Sequence, residues 1–243
     1  MSGPTNVNAA GMGALGRQYE AIAHNLANAS TPGYKRLFCT LVGGAPGAAG
    51  GPGGAAAPIL GESSVDFTQG AIVHTGRPLD LALHGKGFFV VETPQGERYT
   101  RNGTFQTSAQ GQLVDSGGRT VAGDAGPIVI PRTAGEAGVS VAADGRIQAG
   151  STVLGKLRIV EFEKPEALVP AGEGSFRAPR TAAPLPAAKT TVQQGFQEAS
   201  NVSVVNELVG LITVTRLYEA NANIMNKRGE MAKTIIQVAM GNV

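Results

Sequence analysis

The chain has 243 residues with 42% hydrophobic content, 35 glycines, 5% aromatics and no tryptophan, and 20 basic against 18 acidic side chains leave a formal charge of +2. Glycine stands well above its usual ~7%, which points to a turn-rich β protein and away from a compact helical enzyme. The near-balanced charge lacks the basic footprint of a nucleic-acid binder, the lone Cys39 can neither close an internal disulfide nor build a zinc cluster, no apolar run approaches the ~20 residues that span a bilayer, and the first residues do not read as a cleavable signal peptide.

Near the N-terminus, Met12, Leu15, Tyr19, Ile22 and Leu26 recur at spacings of three and four, which predicts a helix with a coiled-coil type of stripe. The pattern stops at Asn28-Ala29-Ser30-Thr31-Pro32-Gly33-Tyr34, where Pro32 disfavours helix at the preceding residue and Pro-Gly favours a turn. Gly11, Gly13 and Gly16 lie inside this helix, each costing about 1 kcal/mol relative to Ala. So short and glycine-laden a helix needs a partner.

The tract from Gly43 to Pro58 consists of Gly, Ala and Pro alone, and residues 37–62 are expected to form a flexible linker. Residues 63–178 carry short apolar runs such as Phe88-Phe89-Val90-Val91, Val139-Ser140-Val141 and Leu157-Arg158-Ile159-Val160, separated by turn signals, and predict a central antiparallel β-domain. Thr93-Pro94-Gln95-Gly96 reads as a turn, and Asn102-Gly103 as a hairpin signal. The alternation Leu79, Leu81, Leu83 points one strand face inward and leaves Asp80 on the other. Residues 179–192, with Pro179, Pro184 and Pro186, read as a second linker.

The region 193–243 is assigned to a C-terminal helix. From Val204 the series Val204, Leu208, Leu211, Thr215, Tyr218, Ala222, Met225, Gly229, Ala232, Ile236 and Ala239 alternates four and three. No proline falls beyond Asn201, so one helix of roughly 55–60 Å is expected at 1.5 Å per residue. Ser200 or Asn201 is the expected cap. Such a helix is too long to be covered by its own β-region and calls for helical partners. The fold class read from these elements is α+β, with N- and C-terminal helices pairing as a coiled coil around a central antiparallel β-rich domain. Scarce aromatics suggest stability drawn more from helix packing between subunits than from one large core.

No constellation of residues reads as catalytic. Asp115-Ser116-Gly117-Gly118 is shared with the nucleophile loop of chymotrypsin-like proteases, but none of His24, His74 and His84 has the context of a triad base, and the same four residues make an ordinary turn. His74, Asp80 and His84 lack metal-ligand spacing. Gly85-Lys86-Gly87 is too short for a phosphate loop. Cys39 reads as a small buried residue. Neither cofactor nor metal is expected.

The ends carry a resemblance. Leu26-Ala27-Asn28-Ala29-Ser30-Thr31-Pro32-Gly33-Tyr34-Lys35-Arg36 resembles the N-terminal signature of bacterial flagellar rod and hook proteins. Val192-Gln193-Gln194-Gly195-Phe196-Gln197-Glu198-Ala199-Ser200-Asn201-Val202 is similar to that family's approach to its C-terminal helix, and Arg216-Leu217-Tyr218-Glu219 to its Arg-x-Tyr/Phe-Glu. Thr75–Leu83, Gly87-Phe88-Phe89, Tyr99–Gly103 and Gly111–Val114 extend the likeness through the middle in the same order. Gly126–Pro131 and Val139–Gly145 look most like proximal-rod members, with distal-rod members the nearest relatives. The Gly43–Pro58 stretch departs from both.

The resemblance implies a non-enzymatic structural subunit of the flagellar basal body. It would be exported by the flagellar type III apparatus without a cleaved signal, and would polymerise in the periplasmic rod with copies of itself and other rod proteins to pass torque from motor to hook. Neither nucleic acid nor direct membrane insertion is implied. Its expected assembly interface comprises Met12, Leu15, Tyr19, Ile22, Leu26, Asn28, Pro32, Gly33, Tyr34, Leu208, Leu211, Tyr218, Met225 and Ile236.

Overall fold

The computed structural model describes residues 3–42, 60–131, 135 and 138–240, which divide into two compact units. The helical unit holds α1 (Gly3–Ala27), β1 (Leu37–Val42), β2 (Leu60–Val65) and, from the other end of the chain, α2 (Val204–Met240). The β unit holds residues 28–36 and 66–202.

In the helical unit, α1 ends at Ala27, where the turn beginning at Asn28 takes over. It packs antiparallel to α2: Ile22 lies against Gly210, where an added Cβ would stand 3.3 Å from the Ile22 side chain. Leu15, Ile22 and Val214 form a small buried cluster with half-buried Leu211 beside it. At one end of the pair the buried Asn25 receives a hydrogen bond from Leu37 N (2.8 Å) and donates to Leu37 O (2.7 Å) and Glu207 Oε2 (3.3 Å). β1 and β2 pair antiparallel, Leu37 opposite Val65 and Val42 opposite Leu60. The expected linker therefore has paired strands at both its ends, because the alternating side chains of Leu37–Val42 suit a pleated ribbon. The Gly43–Pro58 tract itself lies outside the described residues. Cys39, on β1, is half-buried.

α2 contains 37 residues, about 55 Å at 1.5 Å per residue. Carrying the pairing of Asn25 with Glu207 and Ile22 with Gly210 along both helices brings Gly3 level with about Gly229. The last turns of α2 run past that level, and Met231, Ile235, Ile236, Val238 and Met240 are exposed. No helix among the described residues is long and apolar enough to cross a membrane.

The β unit contains β3 (Ile72–His74), β4 (Leu81–His84), β5 (Phe88–Thr93), β6 (Gly96–Thr100), β7 (Phe105–Thr107), β8 (Leu113–Asp115), β9 (Thr120–Gly123) and β10 (Gly126–Pro127). It continues through β11 (Val139–Val141), β12 (Arg146–Ala149), β13 (Thr152–Lys156), β14 (Ile159–Glu161), β15 (Val169–Gly172), β16 (Ser175–Arg177), β17 (Leu185–Pro186), β18 (Thr191–Gln194) and β19 (Phe196–Glu198). The main sheet follows the order β15-β16-β6-β5-β9-β8-β7, with β14 also on β5. Separate ladders join β11-β12-β13, β18 with β4, and β19 with β3, all antiparallel.

The core of this unit is larger than the aromatic count implies. Leu79, Leu81, Leu83, Phe89, Phe105, Leu113, Ile128, Ile147 and Leu157 share one buried cluster. On another side Phe88 meets Phe67, Phe162 and Phe176 edge-on at 5.6, 5.8 and 6.2 Å. Few aromatics suffice because they are concentrated here, so this unit does not wait on intersubunit packing for its core.

Several local expectations change. Asn102-Gly103 does not close a hairpin, since β6 pairs with β5 and β16 while β7 pairs with β8. Gly103 serves close approach: Leu81 N donates to Gly103 O (2.9 Å), and a Cβ there would fall 1.7 Å from Leu81 O. Thr93–Gly96 does turn the chain, from β5 to β6. Both faces of the Leu79–Leu83 segment are covered, so Asp80 is buried too, 3.6 Å from Arg77. Residues 191–194 and 196–198, assigned to linker and helix, form β18 and β19: Val192 plugs the core opposite Leu83, and Phe196 pairs opposite His74. The helix starts at Val204 with Ser203 O accepting from Glu207 N (3.0 Å), and neither Ser200 nor Asn201 caps it.

Candidate functional site

Pro32 and Gly33 turn the chain after α1, and Gly33 takes φ +68°, in the region that favours glycine. A Cβ at Gly33 would fall 2.3 Å from Asn102 N, so its backbone lies directly on the Arg101-Asn102 segment. That approach lets Gly33 N donate to the backbone oxygen of Glu198 (2.7 Å). Tyr34 and Lys35 follow it into the interior.

The two end motifs therefore meet inside the β unit. Lys35 Nζ donates to Glu198 Oε1 (2.5 Å) and to Thr68 O (2.7 Å). Arg101 reaches Glu198 Oε2 at 3.4 Å, and Gly70 N donates to Glu198 Oε1 at 3.0 Å. Arg101 also lies 4.9 Å over the Phe88 ring, a cation–π arrangement. Gly70 allows Ala199 to come close, since a Cβ there would fall 2.0 Å from Ala199 O. Lys35, Arg101 and Glu198 are all buried.

Two cations share one contacting carboxylate, with the opposite charges of Asp66 and Glu161 acting from further away. Burial holds the Lys35 ammonium below its ordinary 10.5, against the attraction and hydrogen bond of Glu198. Burial likewise lowers Arg101, and Glu198 opposes it. Removing one partner of such a buried pair typically costs about 3–5 kcal/mol, because a charge is left without compensation.

Asn201 adds a second tie. Its Oδ1 accepts from Arg36 N (2.7 Å), and its Nδ2 donates to Asp66 O (2.8 Å) and Thr68 O (3.2 Å). Asp66 N donates to Arg36 O at 2.9 Å.

Residues 6–35 match the family described as flagella basal body rod protein, and residues 193–238 the flagellar basal body rod FlgEFG protein C-terminal region. Residues 82–149 match the flagellar hook protein FlgE/F/G D1 domain. A flagellar basal-body rod protein FlgF of Caulobacter vibrioides is 34% identical over 92% of each chain. The chain belongs to the flagellar basal-body rod family. The rod-family protein FlgG of Agrobacterium fabrum is also 34% identical, over 94% of this chain and 96% of its own. FlgF of Escherichia coli is 34% identical over 86% and 87%.

The positions expected at an assembly interface fall into three groups in this rod-family chain. Leu15, Ile22 and Leu211 pack in the α1–α2 pair, with Met12, Leu26 and Met225 half-buried. Tyr19, Leu208, Tyr218 and Ile236 are exposed, and Tyr19 and Tyr218 line an apolar groove of about 400 Å³ together with Leu15 and Val214. Asn28, Pro32, Gly33 and Tyr34 belong to the β unit, where Gly33 and Tyr34 are buried.

The sequence reading missed Val214, Asn25, Glu207, Lys35, Arg101 and Glu198 as structural centres. Val214 was legible as the i+3 neighbour of Leu211, but strict alternation of four and three led to Thr215. Asn25 and Glu207 carry no signal until their helices are placed side by side. Asp115-Ser116-Gly117-Gly118 is the turn from β8 to β9, with Asp115 Oδ1 accepting from Gly117 N and Arg119 N (both 2.9 Å) and Ser116 exposed. His74 rests edge-on against Phe196 at 4.8 Å.

Proposed function

We propose that the chain is a structural subunit of the proximal rod of the bacterial flagellum, with no enzymatic role. It is exported by the flagellar type III apparatus without a cleaved signal and joins copies of itself and other rod proteins in a helical tube that carries torque from motor to hook. The observation that carries this reading is similarity to rod proteins over nine-tenths of the chain. The apolar side chains exposed along the last turns of α2 support assembly through the helices, as coiled-coil seams shared with neighbouring subunits. The stretches Gly126–Pro131 and Val139–Gly145 favour the proximal position. A distal-rod position is the second reading, favoured by the equally similar FlgG chain of Agrobacterium fabrum.

Labelling a tagged chain in purified hook–basal bodies tests the proposal. Label on the motor-side part of the rod is expected. Label on the hook-side part selects the distal reading, and absence from the particles overturns both.

A further inference from the structure

The chain joins the β unit at Asn28, leaves it after Arg36, returns at Asp66 and leaves again after Val202. Asn201 ties the exit at Arg36 to the return at Asp66, through Arg36 N (2.7 Å) and Asp66 O (2.8 Å), and the Asp66 N to Arg36 O bond (2.9 Å) closes the ring. One layer further in, Glu198 holds Gly33 through its backbone oxygen and Lys35 through its carboxylate, and it is braced by Gly70 N and Arg101. None of these groups belongs to α1 or α2.

We propose that residues 28–36 and 196–202 form a latch, centred on Glu198 and Asn201, that keeps the signature segment folded into the β unit whether or not α1 and α2 are paired. The contrast in packing supports it. Among the described residues the helix pair closes over a cluster of Leu15, Ile22 and Val214, whereas the latch buries Lys35 and Arg101 against Glu198, with Arg101 seated over the buried Phe88 ring. Regions with few buried contacts open first, as separate cooperative units. The terminal helices can thus order and disorder while the latch keeps the chain's exits from the β unit fixed. This inference does not depend on the rod reading.

Hydrogen exchange on the full-length monomer tests it. In Val214→Asp, amides of α1 and of the first half of α2 exchange at least about tenfold faster, while those of Gly33 and Arg36 keep their wild-type rates. In Asn201→Ala and in Glu198→Gln, amides of residues 33–36 accelerate by about tenfold or more beyond any change at Phe89–Val91 in the core. The Phe89–Val91 amides also show whether either variant has lost its fold. Joint loss of protection at Gly33 and in α1 in Val214→Asp overturns the proposal. So does an unchanged 33–36 segment in both latch variants, or acceleration there no greater than at Phe89–Val91.

Discussion

Lys35 and Glu198, 163 residues apart in sequence, close a 2.5 Å ion pair with neither side chain exposed. Charges are expensive to bury, and such a pair repays the cost only when the remaining donors and acceptors are engaged. Glu198 meets that condition through Gly70 N and Arg101, and Lys35 through Thr68 O. The pair joins the two signature motifs of the chain, so its geometry selects one docking of the N-terminal segment.

Glu198 has two cationic neighbours and Lys35 has one anionic contact, so their removal is not equivalent. Glu198→Ala strands both Lys35 and Arg101 and is expected to destabilise the β unit by about 3–5 kcal/mol. Lys35→Met leaves Glu198 with Arg101 and Gly70 N and is expected to cost clearly less. Urea midpoints of the two variants give the order, and an equal or larger loss in Lys35→Met contradicts it.

Burial lowers Lys35 in the folded chain from its ordinary 10.5. Between the folded value and 10.5 the unfolded chain holds a proton that the folded chain has released, so the Lys35 contribution to stability rises with pH across that window. Below the folded value its full penalty is present. The stability of the wild type relative to Lys35→Met should therefore increase as pH climbs toward 10.5. A difference that stays flat or falls would show that Lys35 is not depressed.

Two glycines with similar positive φ separate backbone strain from close approach. Gly118, φ +77°, has nothing within 4 Å of an added Cβ, so Gly118→Ala is expected to cost about 1–2 kcal/mol from conformation alone. Gly33, φ +68°, would thrust its Cβ to 2.3 Å from Asn102 N, and backbone must move as well. Gly33→Ala should lower the melting temperature by several times as much as Gly118→Ala. Equal shifts would mean that the contact with Asn102 does not constrain the fold.

Periodicity revealed both helices because three- and four-residue spacing survives without tertiary contacts. It could not place the buried stripe of α2 to the residue, since Val214 and Thr215 both fit a helical face and only the partner α1 chooses between them. Turn chemistry marked Thr93–Gly96 and Asp115–Gly118 correctly, because those turns are locally determined. Asn102-Gly103 misled because Gly103 is small for the sake of Leu81, a long-range requirement that leaves no local trace. The Lys35–Arg101–Glu198 cluster was invisible for the same reason: single charges spread along the chain show no pattern until folding brings them together.

Whether the proposed assembly runs through the terminal helices is decided by the incorporation of Leu211→Asp into hook–basal bodies. Leu211 packs beside the buried Leu15, Ile22 and Val214, and a carboxylate there would lie against apolar side chains. The variant should keep the wild-type β unit, read from protected amides at Phe89–Val91, yet be absent from purified particles. Incorporation at the wild-type level would contradict the account.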